Sequence, residues 1–109
     1  MRRQLAAFAA KRDWEQFHNP KNLVMALVAE AGELTEHFQW LDFAASEQLP
    51  PAVREEVALE IADVLLFLVR LADRLGIDPV RAAERKLALN AAKYPVDKAR
   101  GKATKYDKL

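Results

Sequence analysis

At 109 residues the chain suits one domain, and 51% hydrophobic with 30% charged residues is an ordinary globular composition. Seventeen basic against 16 acidic residues leave a net charge of +1, which is no nucleic-acid footprint, and the lack of cysteine excludes disulfides and thiolate metal sites. No uninterrupted apolar run, Val64–Val69 among them, approaches the roughly 20 residues that span a bilayer, and none of signal-peptide length opens the chain; a soluble, cytoplasmic protein is expected.

A first helix is predicted from about Arg3 to Phe17, on the spacing of Leu5, Phe8, Ala9 and Arg12 and the aromatics Trp14 and Phe17. "HNPKN" interrupts it, with Asn19 as N-cap and Pro20 at the first helical position of the next. That second helix is expected to reach about Trp40, along Leu23, Leu27, Leu34 and Phe38, with Val24 and Val28 widening the stripe. "LDFAASEQLPPAV" reads as a connector. A third helix follows to about Leu75. Val57, Ile61, Val64, Leu65, Leu68 and Leu75 make one face, and Leu59, Leu66 and Val69 much of the opposite one. A helix apolar nearly all round is buried on several sides. A chain this short buries only about two-thirds of its unfolded surface alone, so burial against a second subunit is expected. Gly76 ends this helix, Asp78 and Pro79 start the fourth, and Pro95 bounds it. From about residue 96 the chain reads as a basic, solvated tail. The fold class is all-α: one domain over residues 1–109, a compact bundle of four main helices that oligomerises through the third.

Two pairs of acids stand out. Glu30 and Glu33 are three apart on the second helix, and Glu60 and Asp63 are three apart on the third. Residues three apart share one helix face. If the helices pack antiparallel, the pairs face each other. Four carboxylates in one cleft repel, so they need cations or raised pKa values. Oxygen ligands of this kind suit Mg²⁺, Mn²⁺ or Ca²⁺. Gly32 between the first two acids allows a close approach. The bland alternative is solvated acids paired with Arg70 or Lys86. A di-iron carboxylate site needs two Glu-x-x-His pairs, and only Glu15-x-x-His18 is present.

The stretches "RDWEQFHNPKNL", "EAGELTEHFQW", "EEVALEIADVLLFLV" and "KYP" with a later "KY" resemble the MazG-like, all-α nucleoside triphosphate pyrophosphohydrolases, over residues 5 to 107 and most nearly their dCTP-hydrolysing branch. The resemblance implies Mg²⁺-dependent hydrolysis of a nucleoside triphosphate to the monophosphate and pyrophosphate, with Mn²⁺ as a substitute. dCTP or a related or modified pyrimidine nucleotide is the implied substrate, and pool sanitation the role. It implies that Glu30, Glu33, Glu60 and Asp63 hold the metal, with Glu33 the preferred group to activate water. Trp14, His18, Trp40 and Phe67 match positions around the nucleoside. Lys86, Asn90, Lys93 and Tyr94 resemble a phosphate- and sugar-contacting segment, and Lys105 and Tyr106 a tail motif. Phe67 stands where the resemblance expects tyrosine, so a hydroxyl is missing beside the base. A homotetramer or homodimer is implied, with no nucleic-acid polymer and no membrane as partner. The alternative is a non-catalytic helical oligomerisation or nucleotide-binding module. Such a module has no need of four carboxylates on facing apolar helices.

Overall fold

Prolines and short polar side chains decide where the helices begin. The computed structural model describes residues 1–109: α1 spans Arg2–Lys11, α2 Pro20–Glu36, α3 Phe43–Ser46, α4 Pro51–Arg74, α5 Pro79–Lys93 and α6 Val96–Ala99. Single 3-10 turns lie at Glu15–Phe17 and Tyr106–Lys108, and there is no strand. α2, α4 and α5 carry proline in the first turn, where the missing N–H has no helical partner to lose. Asn19 caps α2 by accepting from the Asn22 N–H at 2.9 Å. Asp78 caps α5 by accepting from Val80 and Arg81, each at 3.1 Å. Gly76, at φ +68°, closes α4. No helix is long and apolar enough to cross a membrane.

Three boundaries depart from the apolar pattern. The first helix stops at Lys11, well short of Phe17. Asp13 turns left-handed there, at φ 55°. Its N–H donates to the Ala10 carbonyl at 3.1 Å, and that of Trp14 to Ala9 at 2.9 Å. This crossed pair is a Schellman closure, with aspartate where glycine is usual. Trp14 therefore leaves the axis of α1. α2 ends at Glu36, about four residues early; the His37 and Phe38 N–H groups bond only three residues back, to Leu34 and Thr35. The Thr35 hydroxyl takes the Ala31 carbonyl at 3.0 Å, competing for the backbone acceptors of that turn. The connector holds one further helical turn, α3, because Asp42 accepts from the Ala45 N–H at 2.7 Å.

The chain divides into two units, Met1–Gly76 and Ile77–Leu109. In the first, α4 packs against α2 and α1. The α2–α4 pair is antiparallel: His18, just before α2, meets Arg70 near the end of α4, and His37, just after α2, lies 3.9 Å from Glu56 early in α4. Leu23 and Val57 are buried between them, and Ala9 and Ala72 are buried where α1 and α4 contribute. The core stripe of α2 runs Leu23, Leu27, Glu30, Leu34, and that of α4 runs Val53, Val57, Glu60, Val64, Phe67, Leu71, all buried or half-buried. Glu30 and Glu60 thus occupy positions the helical period assigns to core residues. Ile61, Leu65 and Leu68 of α4, and Val24, Met25 and Val28 of α2, are exposed.

In the second unit, Tyr94 before Pro95 leaves the helical region at φ −122°, ψ 69° and ends α5. The Tyr106 ring packs edge-on against Tyr94, with centroids 6.1 Å apart, and the Lys93 ammonium sits 4.7 Å from its centroid. The basic segment is tied to the end of α5 by that ring.

Candidate active site

The antiparallel pairing brings the two acid pairs together. One carboxylate oxygen each from Glu30, Glu60 and Asp63 lie within 4.8 Å of one another. Glu33 adjoins Glu30 and adds its charge beside it. Burial first, then the neighbouring carboxylates of Glu33, Asp63 and Glu60, push the Glu30 pKa up to about 7 from 4.5. The cluster thus holds a proton near neutrality to limit its own repulsion.

That proton is a partial remedy. Glu30 Oε2 and Glu60 Oε2 are buried without a hydrogen-bond partner. An unpaired buried carboxylate oxygen is costly, and native structures rarely keep one without a reason. Arg70, one of the cations considered as a salt-bridge partner, pairs with Asp73 instead. A set of hard oxygen donors lacking protein cations fits a divalent metal ion.

Beside the acids lies a pocket of about 270 Å³, lined by Leu5, Phe8, Trp14, His18, Asp63, Leu66, Phe67 and Arg70. Glu60, Asp63, Phe67 and Arg70 fall at i, i+3, i+7 and i+10, one continuous face of α4. Along it the chemistry changes from carboxylate to ring to guanidinium. The Schellman turn aims Trp14 at the same space, where its ring meets Phe8 edge-on at 5.7 Å and His18 at 6.3 Å. His18 Nδ1 accepts from Arg70 Nε at 3.2 Å; this nitrogen is spent on a cation, which removes the Glu15-x-x-His18 metal reading. The pKa of His18 is lowered by burial, then by Arg70 and Arg74, with Glu15 opposing.

The structure thus gathers Glu30, Glu33, Glu60, Asp63, Trp14, His18 and Phe67. Trp40 stands apart on the turn after α2, 88% exposed, and does not line the pocket. Lys86, Asn90, Lys93 and Tyr94 belong to the second unit. There Lys86 is exposed, Asn90 is half-buried, and Lys93 and Tyr94 engage Tyr106. The sequence reading missed Phe8 and Leu5 as pocket walls, and Arg70 as a partner of His18. The available signal was an arginine set into "FLVRLAD", inside an apolar face.

The MazG-like family profile matches residues 25–109. Over its whole length the chain is 48% identical to dCTP pyrophosphatase 1 of Rattus norvegicus and 46% identical to dCTP pyrophosphatase 1 of Homo sapiens, spanning 65% of the length of each. A solved pyrophosphatase from Archaeoglobus fulgidus superposes with a TM-score of 0.76 at 40% identity, covering 84% of this chain and 85% of that one.

Proposed function

Because the chain belongs to the MazG-like family, we propose that it hydrolyses a nucleoside triphosphate to the monophosphate and pyrophosphate, with dCTP or a related or modified pyrimidine nucleotide as substrate. The names of its relatives support this class of reaction. One observation within the chain carries it: Asp63 belongs both to the acid cluster and to the wall of the aromatic pocket. A base seated among Trp14, Phe8 and Phe67 leaves its phosphates at the carboxylates.

Glu30, Glu33, Glu60 and Asp63 would hold the metal, and Mg²⁺ suits them best, since it uses carboxylates together with substrate phosphates and keeps waters. When bound, the ion supplies charge neutralisation at the triphosphate and polarises the phosphoryl group. Glu33, exposed beside half-buried Glu30, accepts the proton of the attacking water. The water oxygen bonds the α-phosphorus, the bond to the bridging oxygen breaks, and pyrophosphate leaves. Trp14 stacks on the base, a contact worth about 1–3 kcal/mol. His18 hydrogen-bonds the nucleoside. Phe67 supplies an apolar edge, so substrates that need a hydroxyl there bind less well. Trp40 is assigned a nucleoside contact on resemblance alone. Lys86, Asn90, Lys93 and Tyr94 are assigned phosphate and sugar contacts on resemblance alone. The active form is a homodimer or homotetramer joined through the apolar face of α4, and its role is removal of unwanted nucleotides from the cytoplasmic pool.

The test is pyrophosphate release from a panel of canonical and 5-modified triphosphates with Mg²⁺. Cleavage of dCTP or a modified dCTP at the α-phosphorus is expected. Glu33→Gln should lower kcat by about 10²–10⁴-fold, the usual worth of a general base, in a protein that stays folded. A folded protein that cleaves no triphosphate overturns the reading in favour of a nucleotide-binding module.

A further inference from the structure

Arg70 is the one charged side chain buried in the chain, at 5% exposure. Its Nη1 donates to Asp73 Oδ2 at 3.3 Å, and Asp73 Oδ1 lies 3.7 Å from Arg2 Nη1 of α1. A buried guanidinium needs one counter-charge, and Asp73 supplies it. The bond from Arg70 Nε to His18 Nδ1, at 3.2 Å, adds nothing to charge balance. It ties the loop before α2 to a residue 52 positions away, at the wall of the pocket.

A guanidinium has five donors, no acceptor, and keeps its charge in proteins. The ring nitrogen facing it must therefore offer a lone pair. His18 is then neutral, with its proton on Nε2, and the low pKa set by burial, Arg70 and Arg74 acts in the same direction. Nε2–H is the polar atom of the ring left for a ligand. The pocket around it is apolar apart from Asp63 and Arg70. At about 270 Å³ it falls just under the roughly 300–1,000 Å³ of sites for larger small molecules, which suits a single base.

We propose that Arg70 is a positioning residue: it fixes His18 as an Nε2–H donor, so that the pocket selects a nucleobase edge presenting a hydrogen-bond acceptor, such as a pyrimidine carbonyl or unprotonated ring nitrogen. This rests on the pocket being the base site, as in the functional reading above. Arg70 touches no reacting atom; it acts through His18.

The tautomer is read first, by nitrogen-15 NMR of histidine-labelled full-length protein without nucleotide. His18 is expected as the Nε2–H form, and Arg70→Met, which keeps length but no donor, should yield a mixture of tautomers. Kinetics follow as a double-mutant cycle. Arg70→Met should raise KM for the preferred pyrimidine triphosphate about tenfold, the size of one lost hydrogen bond. It should leave kcat within about threefold, since the acids are untouched. In a His18→Gln background the same change should move KM less than about twofold, because an amide donates without needing a proton placed for it. Should Arg70→Met fail to fold, Arg70→Lys keeps the charge opposite Asp73, loses the fixed fork, and is expected to shift both readouts in the same direction. A wild-type ring protonated mainly on Nδ1, or an equal KM rise in both backgrounds, overturns the inference and leaves triphosphate hydrolysis standing. A wild-type protein inactive on every triphosphate overturns the functional reading instead, and the ring's tautomer is still decided on the free protein.

Discussion

Glu30 sits where a leucine would fit, on the core stripe of α2 opposite Glu60. Its raised pKa links site and stability. Folding raises its affinity for a proton, from a pKa of 4.5 to about 7. Between those values the folded chain holds a proton that the unfolded chain has released, so stability falls as pH rises through this window. Below pH 4.5 the contribution is fully present, and above about pH 7 it is lost. The metal-free protein should therefore melt at a lower temperature at pH 8 than at pH 5 as far as this group decides. Added Mg²⁺ should raise the melting temperature more at pH 8, where it competes with fewer protons. Calorimetry at both pH values, with and without the ion, checks this; an ion effect equal at both would contradict it. Glu60→Gln should raise the metal-free melting temperature at pH 8 by relieving repulsion, and abolish most of the Mg²⁺ response.

At the level of elements, helix starts were legible, and so were the ends that Gly76 and Pro95 mark, but the ends of α1 and α2 were not. Asn19, Asp78 and the prolines announce α2, α4 and α5 in the sequence because each acts on the backbone beside it. The end of α1 was hidden, since aspartate at a left-handed closure has no sequence signal of glycine's strength, and Trp14 and Phe17 continue the apolar pattern past the true stop. Asp13→Val should cost about 1–2 kcal/mol, because a β-branched side chain resists positive φ. Asp13→Gly should be tolerated, and urea denaturation of the two variants separates the cases. The acid cluster was legible for the same reason as the helix starts: three-residue spacing places each acid pair on one face before any packing is known. The pairing of His18 with Arg70 spans 52 positions and follows only from the antiparallel contact of α2 with α4. Nothing local to either residue foretells it.

For the whole molecule, the apolar inventory exceeds what one chain covers. Ile61, Leu65 and Leu68 fall at i, i+4 and i+7 on α4, all exposed, and Val24, Met25 and Val28 of α2 are exposed as well. Burying one such side chain is worth about 1.5–3 kcal/mol, so a second copy laid on this face gains several such contributions at once. Light scattering should report a multiple of the 12.3 kDa chain. The double variant Ile61→Glu with Leu65→Glu should return it to a single chain, while each acid of the cleft stays in place. A wild-type protein that is monomeric at micromolar concentration would contradict the expectation.

The two tryptophans turn this chain into its own optical reporter. Trp14 is wedged between Phe8 and His18 at the pocket, while Trp40 stands 88% exposed on a turn. In a Trp40→Phe variant, all indole emission comes from the pocket, and a base stacking on Trp14 should quench it in proportion to occupancy. In a Trp14→Phe variant, the remaining emission should begin red-shifted, and any blue shift on concentration would mark the moment Trp40 is covered by another chain. Ligand uptake and self-association thus become two separate colours of one spectrum, readable without a label.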